Sequence, residues 1–75
     1  MAEKIETKVP GNVWKLLVKP GDTVAPGDLL FILEVMKTEV PHSASDGGTV
    51  KAVHIFEGQE GVDAGILAVE IEKPS

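Results

Sequence analysis

The 75-residue chain has no cysteine, no arginine and no tyrosine, and only one tryptophan and two phenylalanines. Without cysteine there is neither a disulfide nor a thiolate metal site, and a reducing, cytoplasmic setting is the expectation. Without arginine the usual bidentate contacts to phosphate and to guanine are missing. Seven lysines stand against 12 acidic residues, a net charge of −5, which repels nucleic acid and anionic lipid alike. No apolar run approaches the roughly 20 residues of a membrane-spanning helix. The first ten residues, MAEKIETKVP, show neither a signal peptide's apolar stretch nor a transit peptide's basic one. The expected partners therefore include no nucleic acid and no membrane.

Helical signals are also absent, because no window sustains a 3.6-residue apolar period. Valine, isoleucine, leucine and threonine in short segments punctuated by glycine and proline read instead as β-structure. Strands are expected over 3–8, 12–19, 29–34, 37–42, 48–56 and 66–72, with short pairing near Val24 and Val62. Lys19-Pro20-Gly21-Asp22 and Ala25-Pro26-Gly27-Asp28 predict type II turns, in which proline presets φ and glycine takes the positive φ that follows.

The chain also repeats itself. When Gly11 is matched to Gly48, Val13 falls on Val50, Leu16 on Val53, Val18 on Ile55 and Gly21 on Gly58. After one inserted residue, Val24 falls on Val62, Gly27 on Gly65, Phe31 on Val69, Leu33 on Ile71 and Glu34 on Glu72. Half-repeats of about residues 1–37 and 38–75, each too small to fold alone, predict one domain with a pseudo-two-fold axis and a shared core. In both copies the apolar alternation slips phase at the same place, between Val13 and Leu16 and between Val50 and Val53, which predicts a β-bulge in each. The expected fold is all-β, a flattened antiparallel two-sheet sandwich. Its expected core is Val13, Leu16, Val18, Leu30 or Leu29, Phe31, Leu33 and their counterparts.

Symmetry also places a turn that local propensity does not. The strand ending at Glu72 runs out of chain, whereas the one ending at Glu34 must reverse to begin the second half. Lys37 therefore lies at or beside a tight hairpin, although Val35-Met36-Lys37-Thr38 contains no glycine, proline, asparagine or aspartate.

Glu34-Val35-Met36-Lys37-Thr38-Glu39 resembles the attachment motif of the biotinyl domains, usually E-A-M-K-M-E, and the resemblance extends from Val9-Pro10-Gly11 to the ILAVEIE near the end. It implies a barrel-sandwich hybrid carrying biotin on the Lys37 amine, placed there by a biotin protein ligase. It further implies carboxylate transfer between a biotin carboxylase and a carboxyltransferase, with Met36, Thr38, Glu34 and Glu39 as recognition residues. Such a carrier is itself no enzyme: the cofactor and its partners do the chemistry. The chain departs from the motif at Val35, where alanine is usual, and at Thr38, where a second methionine is usual. Ser45 replaces a common proline, and the short Asp22–Asp28 connection leaves no room for the thumb of some bacterial carriers. A lipoyl carrier of a 2-oxo acid dehydrogenase complex is the sister reading, with Met36 in place of its typical aspartate. An unmodified structural adaptor is the third.

Other chemistry finds little support. His42 and His54 lie in different halves with no ligand spacing around them, so no metal is expected. Serines 43, 45 and 75 lack a nucleophile-elbow context. The glycine pairs precede no helix and form no phosphate cradle.

Overall fold

The computed structural model describes residues 2–73. Among these residues seven strands alternate with turns: β1 (Ala2–Glu6), β2 (Asn12–Leu16), β3 (Thr23–Val24), β4 (Leu29–Val35), β5 (Thr38–Ser43), β6 (Gly48–Val53) and β7 (Leu67–Glu72). They form two antiparallel sheets, β1-β7-β6-β3 and β2-β4-β5, and no helix occurs among the described residues. Several strands stop short of the lengths expected. β1 ends at Glu6, β2 at Leu16 and β6 at Val53, and β5 begins only at Thr38. Just past the ends of β1, β2 and β6 the backbone still bonds once toward its neighbour, Thr7 N–H to the Ile66 carbonyl at 2.9 Å, Leu17 N–H to that of Leu30 at 2.9 Å and His54 N–H to that of Ala68 at 2.8 Å, before the chain turns away.

The register makes the pseudo-symmetry explicit. Ile5 pairs with Val69 as His42 pairs with Phe31, and Val24 pairs with Gly48 as the isolated bridge Val62 pairs with Gly11. β1 therefore corresponds to β5, β4 to β7 and β2 to β6, and the bridge at Val62 is the remnant of a fourth strand. Both expected bulges are present. Trp14 is the extra residue between Val13 and Lys15, and Lys51 the extra residue between Val50 and Ala52. A second matched pair of register shifts leaves Leu30 and Ala68 as extra residues. Those bulges let neighbours in sequence face the same way, so Leu30 and Phe31, and likewise Ala68 and Val69, are all fully buried.

Val13, Leu30, Phe31, Leu33, Val50, Ile55, Val69 and Ile71 fill the space between the sheets, while Leu16, Val18 and Val53 pack partly against them. Of the two leucines offered for one core site it is Leu30 that is inside, and Leu29 is exposed. With Leu30 goes its counterpart Ala68, and the core exceeds the expected set by Ile5, Val24, Ala44 and Val62. Burial of each large aliphatic or aromatic side chain contributes about 1.5–3 kcal/mol.

The turns follow the sequence chemistry. Gly21 and Gly27 adopt φ of 96° and 86°, and the Asp22 and Asp28 carboxylates accept from the Lys19 and Ala25 amides at 3.0 and 2.8 Å. In the second half Gln59 closes the Phe56 turn in the same way, and Thr7 donates to the Asp63 carbonyl at 2.6 Å while accepting from the Ile66 amide at 3.0 Å. The body is elongated, 39 × 18 × 17 Å, with its ends capped by different loops.

Candidate functional site

The β4–β5 hairpin closes through a two-residue turn. Val35 pairs with Thr38, and Met36 and Lys37 between them have φ of 50° and 67°. Positive φ at both central positions is the type I′ geometry, whose twist matches that of the flanking strands. Asn-Gly normally fills such a turn, because a side chain in the left-handed region costs roughly 1–2 kcal/mol. This hairpin instead carries two long side chains there, which explains why turn propensity does not reveal it. Lys37 is a turn residue and not the start of a strand.

Both turn side chains project into solvent, and Met36 is 93% exposed. No ion pair or hydrogen bond holds the Lys37 amine among the described residues. Below the turn, Glu34 and Glu39 form a cross-strand pair, with Asn12 on the far side of Glu34. Glu39 and Thr38 are exposed and Glu34 is half-buried. Thus Lys37, Met36, Thr38, Glu34 and Glu39 are gathered at one end of the molecule.

Gly11 fixes the base of this hairpin. A Cβ on it would stand 2.7 Å from the Glu34 carbonyl oxygen and 2.8 Å from Val35 Cγ2. Its amide donates to the Val62 carbonyl at 2.8 Å and its carbonyl accepts from the Val62 amide at the same distance. The glycine lets the crossover into β2 pass directly against the end of β4.

His42 has a role that sequence reasoning missed. It is fully buried and stacks on Phe31, with ring centroids 4.5 Å apart and planes 19° from parallel. Its Nε2 accepts from the Lys8 amide at 3.0 Å, which leaves Nδ1–H to donate to the Val40 carbonyl at 3.2 Å. Burial pushes its pKa below the ordinary value, aided by the Lys8 charge and opposed by the Val40 bond. The available signal was the repeat, since His42 falls on Ile5, a core position. In the other half the matching loop amide, that of Ser45, is bound by the Glu3 carboxylate at 2.9 Å.

The two-sheet body thus holds Lys37, unpaired among the described residues, at the apex of a hairpin with positive φ at both central positions. Comparison with known proteins supplies the family: the model of the biotin-requiring enzymes matches residues 1–71, and the chain belongs to that family. It is 44% identical over 69 residues to pyruvate carboxylase of Bacillus subtilis, an alignment covering 92% of this chain and 6% of that protein. It is 44% identical over 64 residues to the biotin carboxyl carrier protein of Streptococcus mutans, covering 85% of this chain and 48% of that one. Among solved structures, the urea carboxylase of Kluyveromyces lactis superposes with a TM-score of 0.85 at 33% identity, over 96% of this chain and 6% of its own. The chain thus spans half or less of the length of these relatives. The biotin-carrier reading is the one these likenesses favour over the lipoyl reading.

Proposed function

We propose that Lys37 is the biotin attachment site and that the loaded chain carries carboxylate between a biotin carboxylase and a carboxyltransferase, in a cytoplasmic setting. The observation that carries this reading is the unpaired Lys37 amine at the apex of the Met36–Lys37 turn. Attachment requires the neutral amine: Nζ attacks an activated biotinyl carbonyl, loses a proton and displaces the activating group, leaving an amide. A biotin protein ligase supplies both the activated acyl group and the environment for deprotonation. When attached, biotin supplies the nitrogen that bears the transferred carboxylate.

The chain's own residues do the presenting. The I′ turn fixes the direction in which the lysine leaves the body. Gly11 and the Val62 bridge hold the hairpin base, so the arm pivots on a rigid mount. Such a mount raises the effective concentration of the arm at sites within its reach. Met36, Thr38, Glu34 and Glu39 form the surface that a ligase meets first. The chain performs no catalysis and serves as one component of a biotin-dependent assembly, as the relatives named pyruvate carboxylase and biotin carboxyl carrier protein support.

Intact mass after incubation with biotin, ATP and a biotin ligase tests the reading, run beside a lipoate-ligase reaction and a Lys37→Arg control. One biotinyl adduct, absent from Lys37→Arg, is expected. A lipoyl adduct alone would move the chain to the 2-oxo acid dehydrogenase carriers, and no adduct from either would leave a structural adaptor.

A further inference from the structure

The two outer faces of the sandwich are related by the pseudo-two-fold axis yet carry opposite chemistry. On the β6-β7-β1 side the outward residues include Lys51, His54, Glu70 and Lys4. Within this set His54 and Glu70 pair, His54 Nε2 lying 2.9 Å from Glu70 Oε2. That bond, together with the charges of His54, Lys51 and Lys4, holds the Glu70 carboxyl below its ordinary range. This is a self-contained, solvated face.

On the β2-β4-β5 side the same positions hold Trp14, Leu17, Ile32 and Pro41. The alternation confirms that they point outward. Ile32 lies between the buried Phe31 and Leu33, and Pro41 pairs with it across the ladder just before the buried His42. Trp14 and Leu17 are 43% and 49% exposed, and Leu29 joins them at 36%. An apolar stripe therefore covers the middle of this face, with Lys15, the ladder partner of Ile32, leaning over the Trp14 ring at 5.4 Å. The two halves share one backbone plan, so the fold does not require the stripe. Lysine, histidine and glutamate serve equally well at the matching sites.

Carboxylates bound the stripe at both ends. Glu34 and Glu39 stand at the hairpin end, while at the other end Leu17 and Leu29 share an open depression with Asp22 and Asp28. We propose that this face docks the chain onto the carboxylase-type partner that serves Lys37, and that the partner presents an apolar patch flanked by lysine or arginine. This rests on the carrier reading above and deepens it. The stripe is continuous with the base of the Lys37 hairpin, so docking there would aim the arm. A second copy of the chain fits poorly, because face-to-face pairing would bring acidic ends together on molecules already at −5. A face of at most 39 × 18 Å limits the interface to the lower end of the range that specific complexes bury.

The test titrates the unmodified, ¹⁵N-labelled chain with the biotin carboxylase and carboxyltransferase subunits of its source organism. Line broadening is expected at Trp14, Leu17, Leu29 and Ile32, weakening as salt rises. Leu17→His and Ile32→Glu install residues the other half already carries at those sites, and circular dichroism confirms that they fold. Each should weaken docking at least tenfold, with Glu70→Gln leaving it unchanged, and ligase modification of Lys37 should proceed at the unsubstituted rate in all three. Broadening confined to residues 34–39 or to the β6-β7-β1 face, or no binding by either subunit, would overturn the proposal. So would broadening that grows with the chain's own concentration in the absence of enzyme, which would make the occupant a second copy. Failure of the carrier reading shows itself separately, as an unsubstituted chain that the ligase leaves unmodified.

Discussion

Glu34 and Glu39 face each other directly across the β4–β5 ladder, one step below the turn that carries Lys37. Two carboxylates in directly opposed positions repel, at a cost of roughly 0.2–1 kcal/mol. The pair therefore works against the hairpin it belongs to. Glu39→Gln should raise the urea midpoint by an amount corresponding to about 0.2–1 kcal/mol. It should also slow ligase-catalysed modification of Lys37. A stabilised variant modified at the unsubstituted rate would show that the pair has no part in recognition.

The turn itself predicts a similar trade. Met36 holds φ of 50° without the exemption that glycine or asparagine enjoys. Met36→Asn should stabilise the chain by about 1 kcal/mol, since asparagine tolerates the left-handed region. Thermal unfolding measures the gain. An unchanged or lower midpoint would mean that the methionine side chain repays its strain within the folded chain.

Gly11 answers to space. Gly11→Ala places a methyl group where the Glu34 carbonyl and Val35 already stand, and the end of β4 must move to admit it. A loss of about 1–3 kcal/mol is expected, the usual cost of overpacking. Amide exchange should quicken at Val35 and Thr38. If stability fell with exchange at the hairpin unchanged, the glycine would not be what secures the mount.

His42 gives the chain an acid-sensitive core. Its pKa is lowered on folding, so on acidification the unfolded chain takes up a proton near the ordinary value of 6.5 before the folded chain does. Stability should therefore decline as the pH falls from about 6.5 towards the lowered folded value, and be insensitive to this group above 6.5. His42→Leu should remove that decline. It should also cost about 1–3 kcal/mol at neutral pH, because the Lys8 amide loses its acceptor. Urea titrations at pH 7.5, 6.5 and 5.5 on both proteins read the two effects apart.

Much of this molecule is legible in one dimension, because its features are local or repeated. The Lys-Pro-Gly-Asp and Ala-Pro-Gly-Asp turns are written in residue types whose φ preferences admit few alternatives. The bulges at Trp14 and Lys51 show as a phase slip because side chains in a strand alternate with a period of two. The hairpin was reachable only through the repeat, since Met36 and Lys37 contradict the chemistry of the turn they make. Its φ values are imposed by strand twist and by the pairing of Val35 with Thr38, neither of which is a property of the two residues alone.

The outer faces lay beyond that reach, and for His42 the repeat supplied a position, on Ile5, but not the partners that make burial possible. A histidine reads as a surface or ligand residue until the Lys8 amide and the Val40 carbonyl are seen to satisfy both its nitrogens in the core. Trp14, Ile32 and Pro41 lie in three different strands, with Leu17 just past the end of β2, and they become one surface only when the ladder sets them side by side. The sequence by itself determined the β architecture, the two-fold plan and the lysine at its turn, because those follow from periodicity and residue chemistry along the chain. The tertiary structure alone decided which polar group could be buried and which face was left apolar. Those outcomes depend on partners distant in sequence, brought within a few ångströms only by folding.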